Sequence, residues 1–444
     1  MHGKAVAPAE CDTIFALATA PGRSGVALVR VSGPQTEVGI RRLTRGEVPL
    51  ERKAVIRTLF DPSTYDRIDT GIVLFFRGPH SYTGENIVEF QMHGGRAVQA
   101  AMLSALAKLP GFRPAEAGEF TRRAVENGRL DLTQAEAIAD LVAAETDAQR
   151  RLALRQHDGE LSGLYEGWRS RLIRAAAWIE ASIDFADEDI PQDAVAKSRQ
   201  EISEVRAEII AHLNDGRRGE ILRDGLQIAV IGSPNVGKSS LVNALARRDV
   251  AIVSEQPGTT RDVIEVHLDL GGYAVILADT AGLRPSSDGV ELEGMRRARA
   301  RAESADLRIL LLDGTAGEEG IGIPGSRGDD IVVWNKADLA ASKTKPGLWV
   351  SARTGQGLAD LVEILSKEAA KRVSGGEGPI LTRARYRYAL EEAAESLGFV
   401  PPTVQPELSA EHVRRALRAI GRITGRVDLD ELLDVVFRDF CIGK

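Results

Sequence analysis

The spacing of apolar and polar positions changes several times along the chain. In residues 1–119 short apolar runs alternate with turn signals, which predicts strands at 14–18, 25–31 and 71–76 and a helix at 98–109. From residue 120 the apolar positions recur every three or four residues, a period that is typical of helices packed on one face. The first predicted apolar stripe comprises Leu161, Leu164, Trp168, Leu172, Ile179 and Ile183. The second comprises Ile202, Val205, Ile209 and Leu213.

Strand-like runs return at residue 227 and alternate with helical stretches as far as residue 372. This alternation predicts a parallel sheet that is covered on both faces. The glycine-rich residues 374–379 end the alternation, and helical periodicity resumes at Ala384. In the last predicted helix, Asp428 and Glu431 have the spacing of a capping box. The apolar face of that helix comprises Leu429, Leu432, Leu433, Val436 and Phe440.

We therefore predict a multidomain protein that combines α+β and α/β parts. The expected parts are an N-terminal α+β domain at 1–119, a helical bundle in two pieces at 120–222 and 374–444, and an α/β domain at 223–373 inserted between those pieces. The length of 444 residues agrees with this division, because single hydrophobic cores stop growing well below that size.

Composition and net charge limit the binding partners and the cellular compartment that we expect. The formal net charge of −7 gives the whole chain no electrostatic reason to bind nucleic acid, so RNA contacts would need local basic stripes. The two cysteines, Cys11 and Cys441, suit a reducing compartment. Residues 1–10 lack the apolar core of a signal peptide, and no apolar run reaches membrane-spanning length. We expect a cytoplasmic protein with no membrane partner.

Residues 232–239, with the sequence GSPNVGKS, follow a predicted strand and open a predicted helix, as a phosphate-binding loop does. Glycines allow backbone N–H groups to close around a β-phosphate, Lys238 neutralises charge, and the Ser239 hydroxyl can bind magnesium. Taken alone, the segment is also compatible with an ATPase or with a glycine turn before a helix.

Residues 335–338, with the sequence NKAD, indicate which base is bound. A carboxylate at Asp338 accepts hydrogen bonds from the N1–H and amino groups of guanine, whereas adenine would leave it buried and unpaired. The segment follows the predicted strand 331–334, where the ligand-binding loops of α/β sheets lie. Ser351 and Ala352, after a further apolar strand, would contact the guanine oxygen through their backbone.

Two further segments lie between these, GTTRD at 258–262 and DTAGLR at 279–284. A threonine of the first would complete the magnesium shell, Asp279 would orient a magnesium-bound water, and the Gly282 N–H would reach the γ-phosphate. Five segments in this order, each at a strand end, predict a protein that binds and hydrolyses GTP. The other predicted nucleotide contacts are Val236, Gly237, Ser240, Thr280, Ala281, Asn335 and Lys336.

Leu283 occupies the position where Ras-like enzymes carry the glutamine that orients the attacking water, and leucine cannot form that hydrogen bond. Glu291, at the start of the next predicted helix, could position or activate water, or it could be an acid favoured by the helix dipole. Asn235 could bind a monovalent cation beside the phosphates, or it could be a turn residue that bonds to its own backbone.

These segments, with others along almost the whole chain, resemble the tRNA-modification GTPase family MnmE, also called TrmE. Outside the nucleotide segments the resemblance is carried by PGR at 21–23, VRVSG at 29–33, SYTGEN at 81–86, HGG at 93–95, GEFT at 118–121, GRLDLTQAEA at 128–137 and FCIGK at 440–444. It implies a homodimer with a folate-binding-like N-terminal domain, a discontinuous α-helical bundle and an inserted Ras-like P-loop GTPase domain.

The resemblance further implies a GTPase subunit that acts on tRNA with a flavin-dependent partner, MnmG, also called GidA. The pair adds an aminomethyl or carboxymethylaminomethyl group at carbon 5 of the wobble uridine. The implied one-carbon donor is a 5-formyl- or methylene-type tetrahydrofolate. In this family potassium-dependent dimerisation of the GTPase domains stimulates hydrolysis.

Residue roles follow from the motifs of this family. Lys238 is an implied catalytic charge, Ser239 and Thr260 are implied magnesium ligands, and Glu291 is implied to act on the attacking water. The implied potassium ligands are Asn235, Ser254, Gln256 and Thr259. The implied folate contacts are Arg30, Glu89, Arg129 and Lys444, since arginines suit the glutamate tail of folate and a carboxylate suits its pterin ring.

Several alternatives stay open at this point. Cys441 could be a nucleophile or acid near the folate carbon, or a small residue that ends a helix. Basic clusters at 150–155, 296–301 and 414–418 could be solvated helix faces or contacts for tRNA or the partner. The alternative function is an RNA- or ribosome-binding GTPase switch without transfer chemistry, and a third is a membrane-associated GTPase. The folate-like segments and the Cys441 tail favour the enzyme subunit, and mixed charges beside Trp168 favour bundle packing over lipid.

Overall fold

The structure, a computed structural model, describes residues 12–184, 192–248, 250–252, 265–279, 300, 302–316, 328–375, 378–400, 405–426, 436, 440 and 443. The chain forms two compact units, one of Met1–Ala139 with Gly421–Lys444 and one of Asp140–Ile420. This division differs from the four-part division expected from the sequence, and the predicted domain boundaries stay a prediction.

A six-stranded sheet forms the centre of the first unit. Its strands are β1 (Thr13–Leu17), β2 (Ser24–Ser32), β3 (Val55–Phe60), β4 (Arg67–Phe76), β5 (Ile87–Gly94) and β6 (Phe112–Pro114), in the spatial order β3-β4-β5-β2-β1-β6. Neighbouring strands are antiparallel except β1 and β6, which are parallel. The described helices that begin in this unit are α1 (Thr36–Thr44), α2 (Arg96–Ala107), α3 (Glu119–Glu126) and α4 (Leu132–Ala143).

Alternate residues of this sheet and one side of α1 and α2 form a shared core. Val29 of β2, Phe90 of β5, Leu43 of α1 and Met102 of α2 have no exposed area. Complete burial of a side chain of this kind contributes about 1.5–3 kcal/mol. The core therefore fixes the strands whose carboxyl and amino ends carry the charged residues described below.

The predicted strands 14–18, 25–31 and 71–76 correspond to β1, β2 and β4, and the predicted helix 98–109 corresponds to α2. The strands β3, β5 and β6 and the helix α1 were not predicted. β5 does carry the alternation of a half-buried strand, with Val88, Phe90 and Met92 on the buried face. α1 has only Ile40 and Leu43 as large buried residues, which is too few to show a helical period.

Further helices begin in the second unit. They are α5 (Asp147–His157), α6 (Glu160–Asp184), α7 (Gln192–Leu213), α8 (Arg218–Asp224), α9 (Lys238–Ala246), α10 (Leu358–Val373), α11 (Ala384–Gly398) and α12 (Pro406–Thr424). α7 packs against α6 and α11, with Trp168, Val205 and Tyr386 buried between them. The stripe residues that are only partly buried are Leu164, Ile183 and Leu213. None of the helices described is long and apolar enough to span a membrane.

The second unit also contains a six-stranded sheet. Its strands are β7 (Leu226–Ile231), β8 (Glu265–Leu270), β9 (Tyr273–Asp279), β10 (Leu307–Asp313), β11 (Ile331–Asn335) and β12 (Leu348–Trp349), in the order β12-β11-β10-β7-β9-β8. The prediction of a parallel sheet is correct for five strands and wrong for β8, which is antiparallel to β9. Gly271 and Gly272, at φ of 68° and 91°, join β8 to β9, and so short a connection allows only antiparallel pairing.

α9 and α10 pack on one face of this sheet, where Leu241 and Leu361 join the buried alternate residues of the strands. Leu310 and Trp334 belong to a separate buried cluster on the opposite face. Because β7, β9, β10 and β11 are parallel, their carboxyl ends lie at the same edge, and the loops that follow them meet there.

The predicted last helix lies outside the described residues except for Val436 and Phe440. Phe440 is 9% exposed and packs against Leu132 and Ala135 at the start of α4. The C-terminal residues described here therefore belong to the first unit, to which Gly443 also contributes.

Candidate functional site

The loop between β7 and α9 has the backbone of an anion-binding loop. Asn235 and Gly237 adopt left-handed conformations with φ of 62° and 98°, and the helix begins at Lys238. A Cβ atom on Gly237 would lie 2.3 Å from Nδ2 of Asn335, so only glycine fits there. The N–H groups in the first turn of α9 and the positive end of its dipole suit a phosphate group.

Lys238 lies against the backbone of this loop. Its ammonium group donates to the carbonyl oxygens of Gly232 at 2.8 Å and Ser233 at 3.0 Å, and the residue is 9% exposed. The half-buried Ser239 follows it in the first turn of the helix. The loop therefore concentrates a cation, N–H donors and a hydroxyl group at one helix end, which is the donor set of a phosphate site with a magnesium ligand.

Asn335 connects three of the five predicted nucleotide segments. It ends β11 and is 3% exposed. Its Nδ2 donates to the carbonyl oxygen of Val236 at 2.8 Å, and its Oδ1 accepts from the N–H of Ala352 at 3.1 Å. The segments 232–239, 335–338 and 351–353 therefore meet at one buried side chain.

Asp338, the predicted guanine-binding carboxylate, is an exposed residue three positions after Asn335 and beside the third of these segments. A hydrogen bond from the Ser351 side chain is the main cause that lowers the pKa of Asp338. Ser351 has no exposed area, and its hydroxyl oxygen accepts from the N–H of Thr354 at 3.1 Å. A carboxylate with a lowered pKa stays ionised at neutral pH and only accepts hydrogen bonds, as the donor edge of guanine requires.

Two polar residues at this edge of the second sheet, Asp313 and Thr315, were not predicted from the sequence to belong to the site. Asp313 ends β10, and its Oδ2 accepts from Nζ of Lys336 at 2.5 Å. Its Oδ1 accepts from the N–H and hydroxyl groups of Thr315 at 2.9 and 2.6 Å. Burial opposes ionisation of Asp313, but these hydrogen bonds outweigh it and lower the pKa. The signal was present, because Asp313 is the first polar residue after the apolar run 309–312.

Other predicted nucleotide and metal ligands lie outside the described residues. They are Ser254, Gln256, Thr259, Thr260, Thr280, Ala281, Gly282 and Glu291. Asp279 ends β9, but its side chain is not described. Among the residues that are described, no group of three or more His, Cys, Asp or Glu side chains is placed to hold a metal ion.

Arg30 and Glu89, two of the predicted folate contacts, form an ion pair with each other. They lie opposite each other on β2 and β5, and Nη2 of Arg30 is 2.9 Å from Oε1 of Glu89. The guanidinium group also lies over the rings of Tyr82 and Phe120, at 5.4 and 5.8 Å from the ring centroids. Nη1 of Arg30 lies 3.5 Å from the carbonyl oxygen of Gly443, so Gly443 lies beside this pair.

The other two predicted folate contacts are not part of this pair. Arg129 is an exposed residue after α3, and no hydrogen bond or ion pair within the described chain joins it to Arg30 or Glu89. Lys444, like Cys441, lies outside the described residues. Gly443, between them, has φ of 104°, and a Cβ atom there would lie 2.4 Å from the carbonyl oxygen of Leu17.

A buried charge network underlies the motifs at 81–86 and 118–121. Arg123, which is 8% exposed, binds Glu85 at 3.1 Å and Glu119 at 3.0 Å, and Arg113 binds the same Glu119 at 2.6 Å. Burial raises the pKa of Glu119, but the hydrogen bonds from Arg113 and Arg123 outweigh it, and the pKa is lowered. These ion pairs connect α3 to β6 and to Glu85, and they therefore stabilise the position of α3.

Two family models match the chain along most of its length. The model of the MnmE helical domain matches residues 132–441, and that of the N-terminus of the GTP-binding protein TrmE matches residues 13–129. A tRNA modification GTPase MnmE from Parvibaculum lavamentivorans is 52% identical over 437 residues, which cover 98% of this chain and 100% of the relative. A protein of the same name from Paramagnetospirillum magneticum is 52% identical over 441 residues, with coverage of 98% and 100%. The solved G domain of the FeoB iron transporter from T. maritima is 27% identical, and the match covers 33% of this chain and 98% of that domain at a TM-score of 0.24.

Proposed function

The chain belongs to the tRNA modification GTPase MnmE family and is a GTP hydrolase, and we propose that it is the GTPase subunit of an enzyme that modifies carbon 5 of the wobble uridine in tRNA. The observation that carries the proposal is the meeting of three nucleotide segments at Asn335. Family membership implies GTP and magnesium as ligands. tRNA is the substrate proposed from the names of the relatives.

In the proposed complex GTP lies along the carboxyl edge of the second sheet. The triphosphate would contact Lys238 and the N–H groups of residues 236–240, and the guanine base would pair with Asp338. Ser239 and Thr260 would hold magnesium, which neutralises phosphate charge when it is bound. Ser239 fits this role because its hydroxyl is the oxygen that directly follows the phosphate-binding lysine.

The proposed potassium site begins at Asn235. This residue is exposed in the phosphate loop, and its backbone has the left-handed conformation that asparagine tolerates in turns. Its side-chain oxygen would bind a cation beside the phosphates, with Ser254, Gln256 and Thr259 as further ligands. Glu291 would act on the attacking water, because Leu283 cannot.

We propose that the Arg30–Glu89 pair belongs to the site of a tetrahydrofolate one-carbon donor, with Arg129 and Lys444 as further contacts. The pair is partly exposed, and its guanidinium group lies over the half-buried ring of Tyr82, which suits a planar ligand with donor groups on its edge. Cys441 would act near the transferred carbon. A homodimer, the flavin-dependent partner MnmG and a cytoplasmic location complete the proposal.

Hydrolysis of GTP by the purified chain, compared in potassium and sodium salts at equal ionic strength, tests the proposal. We expect potassium to raise the rate about tenfold or more, since it would supply part of the charge that an arginine finger supplies elsewhere. The variant Asn235→Ala should lose this stimulation. The control Asn243→Ala changes an exposed residue of α9 and should keep it.

The outcomes of this test separate two parts of the proposal. Equal rates in both salts would remove the potassium site but leave the GTPase. A chain that binds neither GDP nor GTP in either salt would contradict the nucleotide site itself.

A further inference from the structure

Lys336 lies between the two ends of the nucleotide site. Asn335, directly before it, bonds to the phosphate loop at Val236, and Asp338, two residues after it, is the proposed base-binding carboxylate. The nucleoside between phosphate and base edge would therefore pass Lys336. Lys336 has φ of 62°, a left-handed backbone conformation that residues other than glycine rarely adopt. The loop therefore imposes the direction in which its side chain leaves the backbone.

We propose that Asp313 is a positioning residue of this site, which holds the ammonium group of Lys336 so that the aliphatic stem of Lys336 lies ready against one face of the guanine base. The proposal rests on the proposed function, because it assigns a guanine nucleotide to this edge of the sheet. It adds a residue from β10 that lies outside all five nucleotide segments.

The carboxylate of Asp313 is itself held in place from two sides. Oδ1 takes both hydrogen bonds from Thr315, which leaves Oδ2 for the ammonium of Lys336 at 2.5 Å. Gly314, between them, donates from its N–H to the carbonyl oxygen of Asn335 at 2.8 Å. A Cβ atom on Gly314 would lie 2.6 Å from that oxygen and 2.8 Å from the ring of Trp349, so the turn fits closely against β11 and β12.

Both side chains of the Lys336–Asp313 pair are exposed enough for a ligand to contact them. The side chains of Lys336 and Asp313 are 33% and 28% exposed, so the pair lies at the rim of the site. A free lysine side chain loses rotamer freedom when a ligand packs on it, and an anchored one has already lost it. Asp313 would therefore raise nucleotide affinity through preorganisation and would also neutralise the ammonium charge beside the uncharged base.

The test is the affinity of Asp313→Asn for GDP and for GTP, measured by titration of fluorescent nucleotides with the full chain. We expect both affinities to fall by about 3- to 10-fold, the range that corresponds to one rotamer-rich side chain left unordered. The loss should be equal for GDP and GTP because the contact lies at the base end. KM for GTP should rise while kcat stays unchanged. Thr315→Val, which removes one of the two bonds to Asp313, should cause a smaller loss in the same direction.

A matched control separates this role from a structural one. Asp330→Asn breaks the ion pair with Arg308, whose atoms are 2.7 Å apart at the amino ends of the same two strands. This variant should lower the melting temperature and leave nucleotide affinity unchanged. In addition, Asp313→Asn should cause no further loss in a Lys336→Ala background, because its effect passes through that lysine.

Unchanged or tighter GDP binding by Asp313→Asn would overturn the inference, as would a loss that adds fully to that of Lys336→Ala. Either result would leave the proposed function intact. Failure of the wild-type chain to bind GDP or GTP would instead contradict the proposed function.

Discussion

Buried ionised side chains in this chain differ in whether a ligand can replace their hydrogen-bond partners. Lys238 is held by carbonyl oxygens, which a phosphate can replace as partner of the ammonium. Glu119 is held by Arg113 and Arg123, whose guanidinium groups compensate its charge. At the scale of the residue, the type of partner therefore separates the proposed phosphate-binding Lys238 from the structural Glu119.

Glu119→Gln should lower the free energy of unfolding of the first unit by about 2 kcal/mol at neutral pH, because Arg113 and Arg123 lose charge-assisted hydrogen bonds and keep only Asp12 and Glu85 as ionised partners. The pKa of Glu119 is lowered in the folded state, so its stabilisation is complete above its ordinary value of 4.5 and is lost as the pH falls through the lowered pKa. The stability difference between wild type and variant should therefore shrink in acid. Urea denaturation at neutral pH and below about pH 4.5 measures it.

The control for this prediction is Glu126→Gln on the same helix. Glu126 forms an exposed ion pair with Arg122 at 2.9 Å, and such pairs contribute about 0–1 kcal/mol. A stability difference for Glu119→Gln that does not change with pH would contradict the assigned charge state.

At the scale of the element, the segment that leads into the second sheet and the segment that follows it both bind the carboxylate of Asp140. Asp140 of α4 binds Arg223, at the end of α8 before β7, at 2.9 Å. It also binds Arg383, directly before α11, at 2.7 Å. Gln149 of α5 donates to the carbonyl oxygen of Arg223 at 2.9 Å. The segments that lead into the sheet and away from it are thus both bound to α4 through Asp140.

Asp140→Ala should destabilise the second unit by about 3 kcal/mol, because two half-buried arginines lose their shared partner. Thermal denaturation followed by tryptophan fluorescence measures the loss. Asp360→Ala removes an exposed carboxylate in the first turn of α10 and should cost less than about 1 kcal/mol. Equal losses in the two variants would show that Asp140 does not fasten these connections.

At the scale of the whole molecule, the two compact units carry different groups. The sequence contains four tryptophans, Trp168, Trp178, Trp334 and Trp349, and all of them lie within the unit Asp140–Ile420. The nucleotide segments lie in the same unit, and the Arg30–Glu89 pair lies in the other. Tryptophan fluorescence therefore reports on the nucleotide-binding unit alone.

We expect two unfolding transitions in calorimetry, and GDP should raise the midpoint temperature of one of them. At a concentration of one hundred times Kd, a ligand that binds only the folded state adds about 2.7 kcal/mol of stability. The midpoint temperature of the transition seen by tryptophan fluorescence should rise, and that of the other calorimetric transition should not change. If GDP raises both transitions together, the two units unfold as one cooperative system.

The helical and strand periods and the nucleotide segments could be predicted from the sequence because each depends on residues close together in the chain. Residues 232–239 and 335–338 carry their chemistry in their own residue types, and they reappear at the ends of β7 and β11. β8 was wrongly included in a parallel sheet because its direction depends on the turn at Gly271 and Gly272, which interrupts the alternation of strand and helix.

The amino-acid sequence by itself determined the kind of ligand, a guanine nucleotide, and the order of the elements that bind it. Only the tertiary structure decided which charges neutralise each other. Arg30 meets Glu89 because β2 and β5 are neighbours in one register, and Asp313 meets Lys336 because β10 and β11 end together. Such pairs depend on strand order and register, which are set by burial across the whole sheet and leave no local pattern in the chain.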